Sequence, residues 1–186
     1  MSTHALTRRS LWGGAATLAA AVASRANAQS ESAEAPIADA LGISRSSAAI
    51  HQEVLFKAAP GRVYEALTDP GIFQKVVVLS GAIRSMALRS LPARISAEPG
   101  GAFALFGGYI TGRQIELTPS ARIIQAWRSA AWAPHIYSIV RFEIAEHPGG
   151  ARLTFDHTGF PTDDAQSLAK GWQENYWAPL AKVLAQ

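Results

Sequence analysis

Between residues 49 and 57 the chain alternates: Ile50, Val54 and Phe56 share one face with Gln52, and His51, Glu53 and Lys57 take the other. A period of two predicts a half-buried strand. The period then changes. Pro60 stands where a first helical turn tolerates proline, since an N–H there has no helical partner to lose. Val63, Ala66 and Leu67 follow at helical spacing through Thr68. Asp69-Pro70 repeats the signal, a capping residue and a first-turn proline, and predicts a second short helix carrying Ile72, Phe73 and Val76.

From 77 to 92 Val78, Leu79, Ile83, Met86, Leu88 and Leu91 mix with Arg84 and Arg89 without a clean period, which reads as loop with room for a helical turn. A meander is predicted next. Strands fall at 94–98, 103–106, 109–118 and 122–128, separated by Pro99-Gly100-Gly101, Gly107-Gly108 and Pro119-Ser120. The clearest alternation follows Trp132-Ala133-Pro134, with Ile136, Ser138, Val140, Phe142 and Ile144 on one face and Arg141 and Glu143 off it. Pro148-Gly149-Gly150 is a hairpin turn. The last strand sets Leu153, Phe155 and His157 against Arg152, Thr154 and Asp156.

Thr162 then opens a helical period as an N-cap, and Asp163 and Asp164 suit the positive end of a helix. Ala165, Leu168, Ala169, Trp172, Tyr176, Leu180 and Leu184 mark one apolar stripe. Pro179 inside it removes the bond to Asn175, so a bend is expected. No βαβ repeat occurs, which excludes a parallel sheet. The order predicts an α+β fold: a curved antiparallel sheet of about six to seven strands wrapped around a long C-terminal helix, with two short helices after the first strand. A sheet gripping one helix leaves a cavity between them, where a ligand can sit.

Charge changes the picture only after the first 28 residues are set aside. The 186-residue chain carries 17 Lys and Arg against 14 Asp and Glu, with no cysteine. Three of the basic residues, Arg8, Arg9 and Arg25, lie in residues 1–28, which hold no acid; without them the charges balance at 14 each. The other arginines are scattered, so a nucleic-acid partner has no electrostatic footprint. The missing cysteine excludes a disulfide scaffold, a cysteine-ligated metal and a cysteine nucleophile. Thr7-Arg8-Arg9-Ser10-Leu11-Trp12, the small apolar run from Leu11 to Ala23 and the Ala26-Asn27-Ala28 cleavage pattern read as a twin-arginine signal peptide. The apolar run is about 13 residues, too short to cross a bilayer core of about 30 Å, so no integral membrane segment is expected in the mature chain. Export to the periplasm after cleavage near Ala28 is the expectation, with residues 29–47 as a polar linker and the folded domain over 48–186.

Six stretches in order carry a family resemblance. They are Ala59-Pro60-Gly61-Arg62-Val63-Tyr64-Glu65-Ala66-Leu67-Thr68-Asp69-Pro70, Glu98-Pro99-Gly100-Gly101-Ala102-Phe103, Gly107-Gly108-Tyr109-Ile110-Thr111-Gly112, Ile124-Gln125-Ala126-Trp127-Arg128, Leu153-Thr154-Phe155-Asp156-His157-Thr158-Gly159-Phe160-Pro161 and Gly171-Trp172-Gln173-Glu174-Asn175-Tyr176-Trp177-Ala178-Pro179-Leu180. With them the chain resembles the START-like, or SRPBCC, superfamily and, within it, the family named for homology to the activator of the heat-shock-protein ATPase. The resemblance implies a helix-grip fold over residues 50–184. Members include binders of lipids and hydrophobic small molecules, aromatic polyketide cyclases and chaperone-ATPase activators, and fold does not choose among them.

The residues narrow the choice. Alternation puts Asp156 and His157 on opposite faces, so they form no local acid–base couple. His157 reads as a hydrogen-bonded core histidine, or else as a ligand or acid–base group. His51, His135, His147 and His157 lack metal-ligand spacing, and no metal, cofactor or catalytic residue is assigned. Trp127 and Trp177 read as core packing. Trp172 and Tyr176, one helical turn apart with Asn175 adjacent, read as cavity wall. Val140, Phe142 and Phe155 are expected to line the same pocket from the sheet. Tyr109 and Arg113 share parity with Ile115 and Leu117; Arg113 either enters the cavity mouth, where it would suit a carboxylate or phosphate, or forms a salt bridge with Glu98 or Glu116. Three functions follow in order of support: carriage or sequestration of a hydrophobic small molecule or lipid, a cyclase- or hydrolase-type enzyme using His157, Tyr109 or Arg113, and a module that binds a protein partner.

Overall fold

The computed structural model describes residues 47–81 and 91–186. The expected leader, the linker up to residue 46 and the centre of the ambiguous 77–92 stretch lie outside the described residues. Strand β1 spans Ser47–Phe56. Helix α1 spans Pro60–Thr68 and α2 Pro70–Leu79, both with proline in the first turn. The Asp69 carboxylate accepts from the Ile72 amide at 2.7 Å, so the cap read from Asp69-Pro70 forms. Helix α2 runs on through Val77–Leu79, the start of the stretch without a period.

The strands that follow are β2 (Arg94–Ile95), β3 (Ala102–Leu105), β4 (Ile110–Thr118), β5 (Arg122–Ser129), β6 (Ser138–His147) and β7 (Gly150–Pro161). Together with β1 they make one seven-stranded antiparallel sheet in the order β1-β7-β6-β5-β4-β3-β2. Strand β2 is shorter than the expected 94–98, because the chain turns where the Gly101 amide bonds the Glu98 carbonyl at 2.9 Å. Gly112 of β4 is so hemmed in by both neighbouring strands that a side chain there would meet the Ala126 carbonyl oxygen of β5 at 2.1 Å and the Phe103 ring of β3 at 2.3 Å. Only glycine fits there.

One 3-10 turn, Thr162–Asp164, leads into α3 (Ala165–Trp172), with Asp164 rather than Thr162 at the cap position. A π-helical segment (Gln173–Trp177) then joins α3 to α4 (Ala178–Leu184). The Ala178 amide reaches back five residues to the Gln173 carbonyl. The extra residue in that turn opens the helix just ahead of Pro179, whose missing donor falls in the first turn of α4. The expected bend at Pro179 is thus a widened turn.

Alternation decides which sheet face meets the helices. On β7, Ala151, Leu153, Phe155 and His157 are buried while the residues between them are not; β6 does the same from Ser138 to Ile144. Val63, Ala66 and Leu67 of α1 and Phe73, Val76 and Val77 of α2 are buried in the same core as Leu180 and Val183 of α4. This is the helix-grip layout. Among the described residues no helix is long and apolar enough to cross a membrane.

Candidate functional site

Between the helix and the sheet lie two different regions. Under β6 and β7 the space is filled. Phe155 sits 4.4 Å from Trp172 and 5.1 Å from Trp177, ring centre to ring centre, and Phe142 lies 5.4 Å from Phe155. Val140, Phe142 and Phe155, expected in the pocket wall, are core residues and are not among those lining the cavity described below. Their neighbours on the helix are large aromatics that fill the gap to contact distance.

His157 belongs to this filled region. It is fully buried. The Trp172 indole N–H donates to its Nδ1 at 3.1 Å, and Ser138 Oγ lies 2.7 Å from Nε2. An indole nitrogen can only donate, so Nδ1 must accept and the proton sits on Nε2. The Nε2 proton then goes to Ser138 Oγ, whose hydroxyl donates to the Trp127 carbonyl at 3.1 Å. Every polar atom of the imidazole is used. Burial holds the group neutral and drops its pKa to about 3. His157 is the bonded core histidine of the two readings, and it does not reach the cavity.

Under β4 and β5 the space is open. A cavity of about 290 Å³ lies there, partly open to solvent. The sheet contributes Ile110, Trp127 and Ser129; the turns beside it contribute Phe106, Tyr109 and Trp132. The helix contributes Leu168, Trp172, Asn175 and Tyr176, with Asp164 and Ser167 at its start. Tyr109, Trp172, Asn175 and Tyr176 thus come together as the sequence reading placed them. Trp127, Phe106, Trp132 and Asp164 were not singled out for the wall. The available signal for Trp127 was its parity with Ile123, and both side chains are buried.

Arg113 is not in the wall. Ile110 and Gln114 are the inward residues of β4, so Arg113 projects outward and donates to the Gly100 carbonyl at 2.9 Å. A bulge at Ile115, between the pairs Gln114–Gln125 and Glu116–Ile124, resets the alternation beyond it. The expected Glu116 partner is taken by Arg122 instead, at 3.3 Å. His157, Tyr109 and Arg113 are consequently not brought together. Among the described residues no three of His, Asp and Glu gather as a metal would require.

The open region carries three kinds of unspent cost. Phe106 has φ 51°, followed by Gly107 at 67° and Gly108 at 89°. A left-handed backbone is ordinary for the glycines but costs a bulky residue about 1–3 kcal/mol, and such strain clusters at ligand sites. The turn holds the Phe106 ring 5.2 Å from Tyr176 and 6.0 Å from Phe73. The π-helical turn, another feature frequent at functional sites, aims Asn175 and Tyr176 at the cavity. Most telling, Trp127 Nε1 and the Tyr176 hydroxyl are buried and make no hydrogen bond of normal length. Burial pushes the Tyr176 hydroxyl's pKa up, while the Trp127 indole, a weak hydrogen-bond donor to it, draws it back. Two other unpartnered buried atoms, Ser80 Oγ and Gln114 Nε2, lie outside the cavity wall. Asp164, the only charged wall residue among the described residues, accepts from the Trp132 indole.

Comparisons with known proteins agree with this architecture. Residues 57–185 match the family model described as "Activator of Hsp90 ATPase homolog 1-like protein". The mouse "Activator of 90 kDa heat shock protein ATPase homolog 2" is 28% identical over 145 residues, covering 78% of this chain and 40% of the relative. The human "Activator of 90 kDa heat shock protein ATPase homolog 1" is 23% identical over 117 residues, 63% of this chain and 34% of the relative. The chain therefore spans well under half of these curated relatives. Among solved structures, an HSP90 activator from Plasmodium falciparum superposes with a TM-score of 0.60 at 22% identity, covering 75% of this chain and 96% of that one. CalU16 from Micromonospora echinospora superposes at 0.56 and 20% identity, covering 75% of this chain and 76% of that one. At these identities the structural likeness establishes the fold.

Proposed function

Since the chain belongs to the Activator of Hsp90 ATPase homolog 1-like family, we propose that it uses the family's fold as an exported carrier, holding a hydrophobic small molecule in the open cavity by binding alone. The single observation that carries the reading is the cavity itself, walled by the rings of Phe106, Tyr109, Trp127, Trp132, Trp172 and Tyr176. The volume supports a compact ligand. A cavity of about 150 Å³ takes a benzene, so one of about 290 Å³ suits a fused bicyclic molecule better than a two-chain lipid. Affinity would come from desolvating that molecule, at about 25 cal/mol per Å² of apolar surface before the costs of association. Export rests on Arg8-Arg9 and the Ala26-Asn27-Ala28 site.

The test is native mass spectrometry of the mature protein taken from its own host's exported fraction. A co-purifying mass on the order of a few hundred daltons, lost on unfolding, is the expected result. A bare protein mass would count against tight carriage, and absence from the exported fraction would overturn the localisation. A second reading comes from the relatives' printed names: interaction with a chaperone ATPase. Stimulation of a purified Hsp90's ATP hydrolysis by this chain alone would favour that reading.

A further inference from the structure

The two edges of the sheet are treated differently. β2, at one edge, is two residues long, too short to template another strand. β1, at the other, runs ten residues and among the described residues pairs only with β7. Such an edge presents a row of backbone N–H and C=O groups to any strand that comes alongside. Proline, bulges and like charges are the usual guards against that. β1 has no proline, and its one irregularity falls between Ala48 and Ala49, near its start. Its titratable side chains are one histidine and one glutamate. Leu55 is left 59% exposed on the outer face beside them.

The strand is complementary to itself. In an antiparallel pair about a two-fold axis at Gln52, the outer face sets His51 against Glu53 of the second copy and Ala49 against its Leu55, each twice. The inner face sets Ile50 against Val54, also twice. Moving the axis to His51 or to Glu53 sets two imidazoles or two carboxylates directly opposite each other, which repel when charged. Existing bonds favour the Gln52 register. His51 Nδ1 is bonded to Asp156 at 2.7 Å, and Asp156 to Arg141 at 2.7 Å, so a protonated ring has only its Nε2–H left to give. Glu53 enters no ion pair among the described residues. The Gln52 amide is spent on the Ala169 carbonyl and the Trp177 indole, so nothing polar is stranded at the axis.

We propose that β1 is the contact between two copies of this chain, which pair antiparallel about Gln52 and join their sheets into one. The inference is independent of what fills the cavity. Analytical ultracentrifugation of the chain as its host produces it, at about pH 6 where an imidazole readily takes a proton, is expected to show a dimer. Glu53→Arg sets a guanidinium against His51 and is expected to raise the dimer's Kd at least about tenfold, with the thermal melt of the monomer unchanged. The register is read separately. The chain has no cysteine, so Ala49→Cys combined with Leu55→Cys reports without background. Mild oxidation is expected to give a covalent dimer on a non-reducing gel. Ala49→Cys alone is expected to give none, because its two copies then stand about 20 Å apart. A monomer at about 100 µM overturns the proposal. So does a dimer indifferent to Glu53→Arg, or one that the paired cysteines fail to link. Equal linking by Ala49→Cys alone overturns the register and with it the pairing.

Discussion

The two ends of the space between helix and sheet share Trp172 and differ in how their polar atoms are treated. Beneath β6 and β7 the indole of Trp172 donates to His157, His157 donates to Ser138, and Ser138 donates to a backbone carbonyl. The Trp177 indole is likewise paired, with Gln52 Oε1 at 2.6 Å. Beneath β4 and β5 Trp127 Nε1 and the Tyr176 hydroxyl make no hydrogen bond of normal length. Packing closes most buried hydrogen bonds, because each open one costs free energy, and this end leaves two open beside a strained Phe106.

The largest blow to that contrast is Phe155→Ala. Phe155 is fully buried in the filled region. Its loss should cost about 3–5 kcal/mol, read from the urea midpoint. If the protein lost less than about 1 kcal/mol, the filled region would not be the stabilising half.

The pH dependence tests the His157 network. Its pKa falls from 6.5 to about 3 on folding. Between those values the unfolded chain binds a proton that the native state refuses. The stability from this group is thus complete above pH 6.5 and is lost as pH falls towards about 3, with a slope approaching about 1.4 kcal/mol per pH unit. His157→Gln should flatten the stability curve between pH 6.5 and about 4.5. An unchanged slope would mean that the imidazole is not held neutral.

A matched pair of hydroxyl deletions sharpens the contrast further. Ser138→Ala strips His157 Nε2 of its acceptor and should cost about 1–3 kcal/mol. Tyr176→Phe removes a hydroxyl that makes no hydrogen bond of normal length, so stability should hold or rise slightly. Equal losses in thermal melts would erase the difference between the two ends. A small gain is expected at Gly171, a helical position in the cavity wall, where an added Cβ would come no nearer than 4.0 Å to Asn175 Nδ2. Gly171→Ala should stabilise by about 0.5–1 kcal/mol through helix propensity, which a guanidinium titration can read.

Four residues of the wall, Tyr109, Trp172, Asn175 and Tyr176, were legible in the sequence and the others were not, for identifiable reasons. Trp172, Asn175 and Tyr176 follow from the helical stripe, since only one long helix could cover the sheet. Arg113, left open between the cavity mouth and a salt bridge, takes neither, and the inward face of β4 carries a buried glutamine instead. Gln114 is 1% exposed and pairs with Gln125 at 3.2 Å, so polarity masked the parity. Phe106 reads as the end of a strand over 103–106, because nothing local marks a left-handed residue before two glycines; the strand stops at Leu105.

The chain's own pattern determined the elements: a strand, two proline-started helices, an antiparallel meander and a final helix. Each rests on a local period or a local cap, and local geometry needs no distant partner. Tertiary structure alone decided which part of the helix–sheet space is filled and which is left open. That depends on the sizes of side chains that meet across β5, β7 and the helix from positions far apart in sequence. It also depends on the widened turn before Pro179 that sets the helix's aim. Volume and hydrogen-bond closure are properties of such meetings, and no window of sequence contains them.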